Sequence, residues 1–142
     1  MAWAQFLDAD IMNTPKQFLE SFFQERAAAY AVANVGLRSI HAQYFGEPLL
    51  QHAGDFLMPE RVQEVVESVK LANDSALIIT QRATKGAVVF HTRYLLLTDG
   101  ESWKIVRIEW QCFMCHGTGQ HAAVVCPTCG GEGWYDNRKN AT

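Results

Sequence analysis

All four cysteines of the chain lie between positions 112 and 129, and the first 111 residues contain none. They form two pairs, Cys112-Phe-Met-Cys115 and Cys126-Pro-Thr-Cys129, each with two residues between the sulfurs. A disulfide framework spreads its cysteines to tie distant segments together. This clustering assigns all four to one local object. Two intervening residues let both thiolates of a pair face a single ion, and the ten residues between Cys115 and Cys126 allow a hairpin that brings the pairs together. Four thiolates at ~2.3 Å in a tetrahedron make a closed structural zinc site. The expectation is therefore one structural Zn2+ held by Cys112, Cys115, Cys126 and Cys129.

The residues after each pair support this reading. Cys112 to Gly119 and Cys126 to Gly133 spell the same eight-residue phrase, CxxCxGxG. Glycine supplies the positive φ that a knuckle needs as backbone amides turn toward the sulfurs. Other chemistries fit less well. Cys112-Phe-Met-Cys115-His116 reads as C-x-x-C-H, the c-type haem signal. Haem attachment explains His116 but not the second, matching knuckle, and it requires export. A thioredoxin-like CxxC opens a helix, which Gly-x-Gly opposes. Two local disulfides need an oxidising medium. His116 and His121 could serve as ligands, but four cysteines already fill the shell.

The paired phrase resembles the cysteine-rich zinc region of DnaJ-type chaperones over about 22 residues, with two repeats where that family has four. No His-Pro-Asp J-domain signature occurs in the chain. The resemblance implies a zinc knuckle pair with the four cysteines at ligand positions, and it does not imply chaperone activity. In that family the region contributes to contacts with unfolded clients. Trp134 and Tyr135 directly follow the second knuckle and are available either for such a contact or for packing on the body.

The elements that must position this segment come before it. Thr14-Pro15 reads as an N-cap with proline at the first helical position. Phe18, Leu19, Phe22, Phe23, Ala27, Tyr30 and Ala33 follow at helical spacing, which predicts a helix over roughly 15–33. A second helix is expected over about 37–45, with Leu37, Ile40, His41, Tyr44 and Phe45 on one face and Gly46 at its end. Pro59 is expected to open a third, with Val62, Val65, Val66 and Val69 inward and Glu60, Glu64, Glu67 and Lys70 outward. The period then changes. A short strand is expected at Ala76–Thr80, a long one at Ala87–Thr98 and another at Trp103–Gln111, with Asp99-Gly100 as the turn. Helices gathered before an antiparallel sheet predict an α+β body over 1–111, a zinc knuckle segment over 112–135 and a disordered tail over 136–142.

With the turn centred on Gly100, residue numbers across the hairpin sum to about 200. That register sets His91 opposite Glu109 and Arg93 opposite Arg107, with Leu95, Leu97, Ile105 and Trp103 on the same face. Two opposed arginines repel unless an anion or an acidic partner separates them. His91, Arg93, Trp103, Arg107 and Glu109 are therefore the expected docking surface for a protein partner or a second copy of the chain.

The order of elements and the stretch Tyr94-Leu-Leu-Leu-Thr-Asp-Gly-Glu-Ser-Trp103-Lys-Ile-Val-Arg-Ile-Glu-Trp110 resemble a nuclear transport factor 2-like cone, in which an early helical half packs on a curved sheet. The resemblance covers roughly 10–111. It implies three N-terminal helices on that curved antiparallel sheet, followed here by the small zinc hairpin. That fold family includes isomerases, dehydratases, transport adaptors and immunity proteins, so fold alone does not decide function. The cone followed by a knuckle pair is similar to bacterial proteins grouped with the immunity-type members. A pocket in such a cone would place His41, Asp55, His52 and Tyr30 as candidates for acid–base work, but no spacing transfers a role to any of them.

Composition sets the outer limits. The hydrophobic fraction is 49% and the charged fraction 19%, which predicts a folded core. A net charge of -3 argues against non-specific nucleic-acid binding. No apolar run approaches the ~20 residues of a membrane span. The start lacks the basic residues of a signal peptide, so a cytoplasmic protein with reduced thiols is expected. The reading is a zinc-binding, non-catalytic interaction domain, in the manner of an immunity-type neutraliser. The alternative is a small enzyme or apolar-ligand cone related to ketosteroid isomerase or the dehydratases.

Overall fold

Thr14 and Gln17 cap each other at the start of the first helix. The Thr14 hydroxyl accepts the Gln17 amide at 3.1 Å, and the Gln17 side chain accepts the Thr14 amide at 3.2 Å. With Pro15 at its first position this begins α1 (Pro15–Ala31). The computed structural model describes residues 14–33, 35–50, 64–83, 89–112 and 114–136. Gly36, at φ 84°, turns the chain into α2 (Leu37–Tyr44), and a single turn, α3 (Glu47–Leu50), follows.

The rest is mostly β structure. Four strands run consecutively: β1 (Glu64–Ala72), β2 (Ser75–Ala83), β3 (Val89–Thr98) and β4 (Trp103–Gln111). Two short strands, β5 (Gln120–His121) and β6 (Val124–Val125), form a separate hairpin, and β7 (Trp134–Asp136) returns to the main sheet. That sheet is antiparallel throughout, in the order β1-β2-β3-β4-β7.

This overturns the expectation of three N-terminal helices on a curved sheet. The segment expected to be the third helix is, from Glu64 onward, the edge strand β1; residues 59–63 lie outside the described residues. The reason is a bulge. The register of β1 against β2 shifts between Val66 and Ser68, so Glu67 is an extra residue. Residues sharing the helix-side face are then Glu64, Val66, Val69 and Leu71. The bulge puts Val66 and Val69, three apart, on one face as a helix would, but Val65, expected inward with them, faces the other way, and a valine-rich sequence favours strands.

A second bulge lies in β4. Its register against β3 shifts between Leu95 and Leu96, which leaves Val106 as the extra residue. Trp103 and Ile105 therefore share the helix-side face with Ile108 and Trp110. The loop from Asp99 to Ser102 is four residues long, and the Asp99 carboxylate accepts the amides of Glu101 and Ser102 at 2.9 and 3.1 Å. Together these move the hairpin register by one to two residues from the expected one.

The core lies between the helices and this face. Leu19 and Phe22 of α1, Tyr44 at the end of α2, and then Phe45 and Leu49 meet Ala76, Ile78, Tyr94, Leu96, Ile105 and Ile108 of the sheet. The linker between α2 and α3 also borders β4, where the Gly46 amide donates to Ile105 O at 2.8 Å. One charged group is enclosed there. The Glu64 carboxylate accepts from Arg26 of α1 at 2.8 Å, from the Tyr94 hydroxyl at 2.7 Å, and from the Thr80 hydroxyl. Its side chain is 1% exposed. Burial, followed by the Glu64 charge, raises the Tyr94 hydroxyl well above the ordinary tyrosine range, so it remains a donor. Arg26 also lies over the rings of Phe22 and Phe23, each at 5.0 Å.

The outward placement expected for Glu64 is thus reversed. Removing one partner of a buried pair strands the other. Glu64→Ala is expected to cost about 3–5 kcal/mol in urea unfolding, and Glu64→Gln less, because the amide oxygen still accepts.

Candidate metal centre

The chain leaves β4 at Gln111 and enters the first knuckle at Cys112, and it leaves the second knuckle at Gly133 to begin β7. The cysteine segment is therefore the connection between two neighbouring strands of one sheet, and the boundary expected at residue 111 falls inside that sheet. The four sulfurs converge there, all within 4.8 Å of one another. Cys112 and Cys126 are 3.8 Å apart at sulfur, and Cys115 and Cys129 3.6 Å. A tetrahedral ion with bonds of ~2.3 Å has sulfur–sulfur edges of about 3.8 Å, so the donor set fits one such ion. The four cysteines are free thiols. The cluster could hold one metal ion. His116 and His121 are exposed and stand outside this cluster.

The two knuckles have the same local geometry. The His116 amide donates to Cys112 O and the Gly130 amide to Cys126 O, both at 2.9 Å. The Gly119 amide donates to Cys115 Sγ at 3.3 Å and the Gly133 amide to Cys129 Sγ at 3.1 Å. The knuckles also clasp each other reciprocally: the Cys112 amide donates to Gly133 O at 2.7 Å, and the Cys126 amide to Gly119 O at 2.9 Å. Strand pairing follows the same relation. Gln111 opposite Trp134 in the main sheet corresponds to Val125 opposite Gln120 in the small hairpin.

Amide donors set the character of the sulfurs. Burial opposes ionisation of Cys112, but the Cys115 amide, the Tyr135 hydroxyl and the Met114 amide bring its thiol down to about 6. At Cys115 burial is likewise overcome, mainly by the Gly119 amide. At Cys129 burial prevails over the Gly133 and Gly131 amides, and the thiol is raised. The hydrogen bond to Cys112, then burial, pushes the Tyr135 hydroxyl up to about 12. Thiolate-stabilising donors around closely spaced sulfurs suit a cation that replaces their protons.

The expected partner-binding residues separate on two faces. Arg93 stands opposite Glu109, not Arg107, and its Nε donates to Glu109 at 2.7 Å. Arg107 stands opposite Leu95 and reaches the same carboxylate at 3.7 Å. His91 lies on this face too, with Nδ1 3.1 Å from Gln111 Oε1 and Nε2 3.5 Å from Glu67. Trp103 and Ile105 belong to the opposite, helix-side face, where Ile105 is buried and Trp103 packs on the core. The expected repulsion between opposed arginines is therefore absent, because the bulge and the longer loop set an anion between them.

Three residues that sequence reasoning passed over or left open join the site. Gln111 donates to His116 O at 3.1 Å and so ties the first knuckle to the sheet. Trp134 lies under the Arg93 guanidinium, 4.5 Å from its ring centre, and thus packs on the body. Tyr135 donates to a sulfur. Position beside the cysteine phrases was the signal available for all three. Of the acid–base candidates, His41 is buried and stacked on Phe45 at 4.6 Å, and burial, then the Arg26 charge, holds its ring below 6.5. Asp55, His52 and the Tyr30 side chain lie outside the described residues.

No protein-family model, curated protein or solved structure matches the chain. Among the described residues, no helix is long and apolar enough to cross a membrane.

Gly119 and Gly133 show how tightly the knuckles interlock. A Cβ on Gly119 would lie 2.3 Å from Gly131 O, and one on Gly133 would lie 2.5 Å from Gly117 O. Both residues also have positive φ, 81° and 83°. Gly119→Ala or Gly133→Ala is expected to weaken metal affinity at least tenfold in competition titration with a chromogenic chelator, while Gly100→Ala, with open space around it, leaves affinity unchanged.

Proposed function

We propose that this chain is a zinc-binding, non-catalytic protein-interaction domain of the cytoplasm, in which a structural zinc ion holds the knuckle pair closed and the helix-free face of the sheet docks a partner. The observation that carries the reading is the sulfur cluster, whose edges of 3.6 and 3.8 Å suit tetrahedral thiolate coordination. Four cysteines leave no position open for water or substrate, which is the pattern of a structural site. The likeness of the CxxCxGxG pair to DnaJ-type zinc regions supports zinc over iron.

The docking part rests on the face that carries Arg93. Among the described residues the helices lie over the other side. This face shows Leu77, Ile79 and Leu95 half-buried, Leu97 44% exposed and Val65 50% exposed. Lys70 stands opposite Leu77, and Arg107 opposite Leu95. An apolar centre bordered by cations and by Glu67 and Glu109 suits a protein partner with a rim of mixed charge. In a chain of net charge -3 this polarity is local and favours a protein partner over nucleic acid. The specific role we propose is neutralisation of a partner protein, as immunity-type proteins do.

Elemental analysis of chain purified without added metal is expected to give one zinc per chain, and Cys115→Ser with Cys129→Ser to abolish it; iron, haem or no metal would refute the centre. Arg93→Glu together with Arg107→Glu is expected to abolish retention of any partner that the parent chain captures from native extract, or to shift its own dimer to monomer in sedimentation. A double variant that keeps every association of the parent removes this face from the reading.

A further inference from the structure

Among the described residues three pairs hold β7 on β4: Glu109 with Asp136, Trp110 with Tyr135 and Gln111 with Trp134. The connection between these strands is the whole cysteine segment. Its large apolar side chains among the described residues, Met114, Val124 and Val125, are exposed. Closing a connection of that length costs chain entropy, and a three-residue edge strand has little with which to offset it. The knuckles supply what is missing. The Cys112 amide donates to Gly133 O, and so the first residue of one knuckle holds the last residue of the other beside the start of β7. Gln111 binds His116 O with one end of its side chain and His91 with the other.

The docking face inherits these links. Arg93 lies between the Trp134 ring, at 4.5 Å, and Glu109, at 2.7 Å. His91 is held between Gln111 and Glu67. Each of these arrangements includes a residue whose place depends on closed knuckles.

We infer that metal occupancy regulates the sheet face that carries Arg93: the metal-loaded chain completes the fifth strand and clamps Arg93 on Trp134, and the metal-free chain releases β7, uncovering the Arg93 face on the Trp134 side and the edge of β4 at residues 109–111. The use of this switch in binding rests on the docking reading above; the release of the strand rests on metal binding alone.

Hydrogen exchange followed by mass spectrometry on the full chain tests it, comparing one equivalent of Zn2+ with chelated protein under reducing conditions. The expected result is exchange at least a hundredfold faster at the amides that cross the β4–β7 seam, those of Trp110, Cys112 and Tyr135, without metal, with residues 76–82 and 92–97 still protected. Trp134→Phe is expected to remove the metal-dependent part of the tryptophan emission change. Unchanged exchange in a chain that demonstrably binds and loses zinc overturns the latch and leaves the metal centre standing. Loss of protection across the whole sheet also overturns it, since the metal would then hold the entire fold. A chain that takes up no zinc overturns both. Arg107→Glu alone tests the docking reading separately, because it leaves the contact between Arg93 and Trp134 in place.

Discussion

Four sulfurs must reach one point, and the chain meets this constraint by building the same object twice. Each knuckle turns its amides toward sulfur, and each ends in a glycine amide bonded to the second cysteine of its pair. The reciprocal bonds between knuckles then place the incoming strand of one beside the outgoing strand of the other. This explains why β4 pairs with β7 and β5 with β6. The main sheet gains its fifth strand where the knuckles close, and the strand-favouring Trp134 and Tyr135 occupy it. It also explains the two close glycine–carbonyl approaches, which follow from two backbones crossing where the knuckles meet.

The two β-bulges do comparable work for the body. Each adds one residue to a strand, and each brings residues three apart onto the same face. In β1 this leaves Glu67 on the side of His91 while Val69 and Leu71 stay on the helix side. In β4 it brings Ile105 and Ile108 together into the core. Without the second bulge, Ile105 and Trp103 would lie on the face that carries Arg93. The absence of Trp103 and Ile105 from that face therefore depends on Val106 being the extra residue.

Enclosing Glu64 by itself opposes folding, since a buried carboxylate is costly. Three donors meet it from three elements: Arg26 from α1, Thr80 from β2 and Tyr94 from β3. Such a network adds direction that apolar packing lacks. It sets where α1 crosses the sheet, because Arg26 reaches the carboxylate only from one rotation of the helix. Phe22 and Phe23 then pack beneath the same guanidinium, which joins the ionic contact to the aromatic layer.

What the sequence determined by itself is what depends on short spacing. The capped first helix, the second helix to the end of Tyr44, the β3–β4 hairpin and the grouping of Cys112, Cys115, Cys126 and Cys129 are each written within a few neighbouring residues. The cysteine cluster is legible for that reason, since two CxxC phrases carry their own turn chemistry. Tertiary structure decided what depends on one extra residue in a strand. The spacing of Val62, Val65, Val66 and Val69 after Pro59 reads as a helix, but pairing with β2 makes the chain from Glu64 a bulged strand, and a second bulge, with a four-residue loop, sets Glu109 in place of Arg107 as the neighbour of Arg93. A strand's faces alternate with every residue, so a single insertion reverses all that follows. Whether it occurs is settled by the partner strand and the core. The return of Trp134 to the sheet is tertiary in the same sense: Trp134 and Tyr135 favour a strand, but which edge they join follows from where the knuckles close the chain.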